Sequence, residues 1–154
     1  MRLFRLSILA TCLLLLACSE QFHHTYENGA VALSSNEAGH GWVPKWLPRQ
    51  ATDMHLQYDL DTNERWLRFK LSADERVRLS QHLRPMSEQE VMELSIRSPR
   101  SVDWWFYNLI EQQPADDGAL NAELFFGAGE VVPRKAVIAL ERGTQETFVY
   151  LPSE

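Results

Sequence analysis

Apolar and polar positions alternate most clearly in the middle of the chain. Met54, Leu56, Tyr58 and Leu60 alternate with His55, Gln57 and Asp59, which is the period of a half-buried strand. Asp61-Thr62-Asn63-Glu64 supplies turn chemistry. Leu67, Phe69 and Leu71 then alternate with Arg68 and Lys70, so the two runs are expected to pair as an antiparallel hairpin. Ser72-Ala73-Asp74-Glu75 spells a capping box, and Val77, Leu79 and Leu83 carry a helix from it until Pro85. Ser87-Glu88-Gln89-Glu90 repeats the cap ahead of Val91, Leu94 and Ile96, and Pro99 ends that second helix. Residues 101–113 carry two patterns, since Val102, Trp105, Leu109 and Ile110 suit a helix while Trp104 and Phe106 suit a strand; the reading taken is a short helix. Residues 122–126, 136–140 and 147–151 read as strands, the last two joined through Arg142-Gly143-Thr144-Gln145. Strands grouped at both ends with helices between predict an α+β fold, an antiparallel sheet with two or three short helices packed on one face.

Upstream of Trp42 the pattern changes twice. Arg2 and Arg5 precede an apolar run over residues 6–17, shorter than the roughly 20 residues of a spanning helix and laid out like a secretory signal. Residues 19–41 are dominated by Ser, Glu, Gln, His, Asn and Gly and hold no apolar period. They are expected to form a flexible tether spanning roughly 25 Å. Pro44 and Pro48 push Val43 and Leu47 toward extended conformations, so Trp42 is expected to open the folded part. The polar stretch up to residue 41 is therefore expected to be a tether, and 42–154 a single domain.

Charge narrows the partners. The chain carries 15 Lys plus Arg against 21 Asp plus Glu, and removal of Arg2 and Arg5 with the signal takes the formal charge from −6 to −8. An acidic protein does not attract nucleic acid through its overall field. Cys12 lies in the signal and Cys18 follows it, so the exported domain has neither a disulfide nor a free thiol.

Candidate chemistry is sparse. Asp59, Asp61, Asn63 and Glu64 imitate the start of a calcium loop, but Glu64 stands where the loop needs Gly and Lys70 where it needs a bidentate Glu. His23, His24 and His40 fall in the expected tether, which cannot hold a metal geometry; His55 and His82 have no motif around them. The Gly127-Ala128-Gly129 segment reads as a turn, and no nucleophile elbow, zinc-helix, Walker or dinucleotide motif is present. No metal, cofactor or catalytic residue is assigned. What remains is aromatic: Trp104, Trp105, Phe106 and Tyr107 are consecutive and cannot all face one core. Trp42, Trp46, Trp104, Trp105 and Tyr107, rimmed by Arg97 and Arg100, are the candidate partner-binding residues.

Two resemblances add to this reading. Leu15-Leu16-Ala17-Cys18 resembles the lipobox of bacterial lipoproteins. That resemblance implies a diacylglyceryl group on the Cys18 sulfur, cleavage before Cys18, and acylation of the new amine, with palmitate as a usual chain; it divides the chain into 1–17 a cleaved signal peptide, 18–41 the lipidated cysteine and flexible tether, and 42–154 the single α+β domain. Ser19 in place of Asp implies the outer membrane, with the domain lipid-anchored on the periplasmic face. The run Trp46-Leu47-Pro48, Ala51-Thr52-Asp53-Met54-His55, Asp59 to Glu64 and Trp66-Leu67-Arg68-Phe69 is similar to a segment of short, uncharacterised bacterial exported proteins, and covers about a quarter of the processed chain. Together these lead to a membrane-anchored binding or accessory module with a protein partner in the envelope. The alternative is a small periplasmic hydrolase with a carboxylate site, and a third class is an envelope stress or structural protein.

Overall fold

The computed structural model describes residues 20–105 and 122–153. The chain forms β1 (Gln21–Asn28), α1 (Gly29–Ala32), α2 (Asn36–Gly39), β2 (Thr52–Asp59), β3 (Arg65–Lys70), α3 (Ala73–Ser80), β4 (Leu83–Pro85), α4 (Glu88–Glu93), β5 (Ala122–Gly127), β6 (Val137–Glu141) and β7 (Glu146–Leu151). The strands make one seven-stranded sheet in the order β1-β2-β3-β7-β6-β5-β4, and every neighbouring pair is antiparallel. The α+β expectation holds in its coarse form, with an antiparallel sheet dominating and a few short helices beside it.

Both faces of the sheet are covered. On the first face Met54, Leu56, Tyr58, Leu67, Phe69, Ile138, Leu140, Val149 and Leu151 pack under Ala32, Val43, Leu47, Ala51, Leu79 and Val132. On the second, Trp66, Val137, Ala139, Ala122, Leu124, Phe148 and Tyr150 pack under Ile96 and Trp105, with Val91 and Leu94 against them. Double coverage explains why residues 136–140 and 147–151 are nearly continuous apolar runs. Each fully buried side chain of this size contributes about 1.5–3 kcal/mol. The helices are therefore not confined to one face: α1, α2 and α3 lie with the first core and α4 with the second.

The expected tether is instead folded. Residues 21–28 are an edge strand in continuous register with β2, from Gln21 opposite Asp59 to Tyr26 opposite Met54. Asn28 then caps α1, its side chain accepting from Val31 N–H at 3.0 Å. Gly29 is needed where it stands, because a Cβ there would collide with the Pro48 carbonyl. Ser35 caps α2 in turn. The strand lacks an apolar period because its first-face residues, Phe22, His24 and Tyr26, include only aromatics that stack on or beside Tyr58, and its other face is polar. The lead-in to β2 also differs from its expected extended form: Leu47 N–H donates to Pro44 O at 3.0 Å and Ala51 N–H to Pro48 O at 3.1 Å, so each proline opens a turn. Downstream, α3 stops at Ser80 and α4 at Glu93, both short of the expected ends. Residues 83–85 leave helix to pair with β5. Residues 101–105 form no helix, and the rest of the helix expected over 101–113 lies outside the described residues.

Candidate partner-binding face

Residues 94–105 form a strap that crosses the second face without joining the sheet. It is pinned where the strands below offer donors and acceptors. Trp66 Nε1 donates to Arg97 O at 2.6 Å. Gln57 Nε2 donates to Arg100 O at 3.0 Å, and Arg100 N–H donates to Gln21 Oε1 at 3.0 Å. Arg97 Nη1 lies 3.2 Å from Glu64 Oε2. Ile96, Pro99 and Trp105 are buried along it, and Trp105 meets Phe148 edge to face at 6.1 Å between centroids.

Under the strap the buried carboxylates are fully engaged. Glu64 accepts from Tyr150 Oη at 2.5 Å and Thr62 Oγ1 at 2.9 Å besides Arg97. Asp59 accepts from Gln21 Nε2 at 2.8 Å and from the backbone N–H groups of Asp61 and Thr62. Burial alone would push the Asp59 carboxyl up, but those hydrogen bonds outweigh it and hold it below the ordinary range. The calcium-loop imitation is thereby explained: two of its four oxygen donors point inward and serve the turn itself.

Beside the strap's end lies an assembly that the sequence did not single out. The His23 and His55 rings stack at 5.7 Å and 7°. Trp104 covers both, at 5.8 Å from His23 and 5.5 Å from His55. Trp104 Nε1 donates to His23 Nε2 at 3.2 Å, so that nitrogen is unprotonated. Partial burial lowers the His23 pKa, with the neighbouring His55 and His24 acting in the same direction. Next to His55, Arg68 grips Glu146 through two hydrogen bonds of 2.9 and 2.7 Å. Asp53 lies 2.8 Å from Lys70 Nζ, 3.5 Å from His55 Nε2 and 3.7 Å from Arg68 Nη2. The hydrogen bond from Lys70 holds Asp53 below the usual carboxylate range, the opposite of what a general acid needs. Asp53 reaches this position because β2 breaks register between Thr52 and His55, with Asp53 at φ +49°. That left-handed backbone is uncommon for a residue with a side chain.

The seven candidate residues do not form one patch. Trp42 and Trp46 lie on the first face, both partly buried, and Trp42 stacks on Tyr58 at 4.3 Å. Trp104, Trp105, Arg97 and Arg100 belong to the strap on the second face. Trp105 is only 5 % exposed, so Trp104 is the half-exposed member of the pair. Arg97 is tied to Glu64, while Arg100 is exposed. Tyr107 and Cys18 lie outside the described residues. His23, His55, Asp53, Arg68 and Glu146 come from four strands far apart in sequence, and only His55, Arg68 and Phe148 opposing one another across β2, β3 and β7 brings them together.

Among the described residues no group of three or more His, Cys, Asp or Glu is arranged to hold a metal. A cavity of about 380 Å³ elsewhere on the sheet is lined by Pro85, Met86, Val91, Leu124 and Phe125, with Glu123 and Arg142 at it; among the described residues Glu123 is its one carboxylate. Residues 20–70, about a third of the chain, match the family described as the YbbD head domain, a stretch that runs from the start of β1 to the end of β3. No curated protein and no solved structure matches the chain.

Proposed function

We propose that the protein is an envelope lipoprotein, anchored through Cys18 in the outer membrane, whose domain works as a binding module for a protein partner. The observation that supports this best is how the carboxylates around the strap are used. The buried pair, Asp59 and Glu64, is spent on internal donors, and Asp53 and Glu146 are matched by Arg68 and Lys70. What the strap leaves at the surface beside them is a half-exposed indole next to interleaved charges, the kind of contact that recognises rather than reacts.

Two measurements test the reading. A fatty-acid probe fed to cells should label the wild-type chain and not Cys18→Ala, and a wild type without label removes the anchor. Mild cross-linking should recover an envelope protein with the wild type and lose it with Trp104→Ala, at little change in unfolding midpoint. Unchanged recovery with a folded Trp104→Ala places the contact elsewhere.

A further inference from the structure

We infer that the domain sits directly on the bilayer, with the β2–β3 turn end of the sheet against the headgroups. The inference rests on the lipid anchor proposed above. The chain leaves almost no slack: Leu60 N–H donates to Glu20 O at 3.0 Å and β1 begins at Gln21, so only Ser19 separates Cys18 from the fold. Two residues reach at most about 7 Å, far less than a domain diameter.

That geometry fixes which end faces the lipid. The start of β1, the end of β2, the starts of β3 and β6 and the end of β7 share one end of the sheet. Three of the described chain's exposed large apolar side chains are there: Phe22 at 43 %, Leu60 at 39 % and, in the loop before β6, Val131 at 47 %. Arg65, Arg134 and Lys135 line a hollow of about 120 Å³ at the same end, beside Pro152 and Ser153. Arg97, paired with Glu64, and Arg100 are exposed on the strap nearby, and Glu20, Asp61 and Glu130 are exposed acids of the same end. Apolar side chains entering the interfacial layer, with cations opposite lipid phosphates, are how a protein surface rests on an anionic membrane. The opposite end, at the Gly143 turn, lies roughly 20 Å away, one six-residue strand.

The test uses the full lipidated chain in vesicles of phosphatidylglycerol and phosphatidylethanolamine carrying a nitroxide on the headgroup. Cys12 leaves with the signal and the Cys18 sulfur is a thioether, so an introduced thiol is the one that reacts with a bimane dye. Bimane on Leu60→Cys should be quenched several-fold more than on Gln145→Cys. Equal quenching overturns the seating while leaving the anchor intact. Dye uptake by the wild type instead shows a free Cys18, and then the lipoprotein reading itself fails. Reversing Arg134 and Lys135 to Glu should weaken quenching at position 60; unchanged quenching removes the cations from the contact.

Discussion

Removing the Glu64 carboxylate should be among the more damaging changes available at a polar position. Glu64 is 7 % exposed and Tyr150 8 %. Glu64→Ala leaves the Tyr150 hydroxyl buried without its acceptor, at about 1–3 kcal/mol. It also releases Thr62 and Arg97. Arg97 is 48 % exposed at its side chain, so its share stays within about 1 kcal/mol. The expected total is about 3 kcal/mol. Tyr150→Phe removes the donor and leaves Glu64 its other partners, so about 1–2 kcal/mol is expected. In the double variant no hydroxyl is orphaned, and its cost should fall short of the sum of the singles by about 1–2 kcal/mol. Urea unfolding with a shared slope measures all three. The same pair predicts alkaline behaviour. Burial, and then the bond to Glu64, raises the Tyr150 pKa above its ordinary 10.0. Stability should therefore be full below pH 10 and fall as pH rises beyond it, less steeply in Tyr150→Phe. Tyr26, pushed up to about 12 mainly by burial, adds a component that this variant leaves in place. Strict additivity of the two substitutions, or a Glu64→Ala cost below about 1 kcal/mol, would refute the argument.

Phe69, fully buried on the first face, should cost about 3–5 kcal/mol on replacement by Ala, and Arg68→Ala on the other face clearly less; equal urea midpoints would put the β3 register in error. His23 is lowered from 6.5, so its contribution is present above that pH and lost on acidification. The Trp104 indole N–H signal should shift and broaden in mildly acidic buffer, and His23→Phe should abolish that response. A chain started at Trp42 should not fold, because it uncovers Met54, Leu56 and Tyr58, whereas one started at Glu20 should melt cooperatively; circular dichroism separates the two.

Five of the seven strands were legible because their side chains divide between a core and something else, or fill two cores. The Ser87 cap is present in full, with Glu90 reaching back, and Ser72 accepts from Glu75 N–H as its spacing implies. β1 was not legible: it sits at an edge, its inward residues are aromatic and imidazole rather than aliphatic, and its composition mimics a disordered linker. β4 is three residues ending in proline, too short to show a period. Trp104 was found because four aromatics in a row cannot all be buried. Its neighbours were not, since nothing local links His23, His55, Arg68 and Glu146; sheet register alone assembles them.

The stretch that matches the head-domain family ends at residue 70, at the last residue of β3. In this chain the outer edge of β3 is closed by β7, from Arg65 opposite Leu151 to Lys70 opposite Glu146. A unit cut at that point would expose a row of unpaired backbone groups along a hydrophobic strand, an invitation to mispairing. In this chain the first three strands thus end in a socket that β7 fills. Splitting this protein after Lys70 should give two fragments that fold only on meeting each other, because each then lacks the strand that closes its edge.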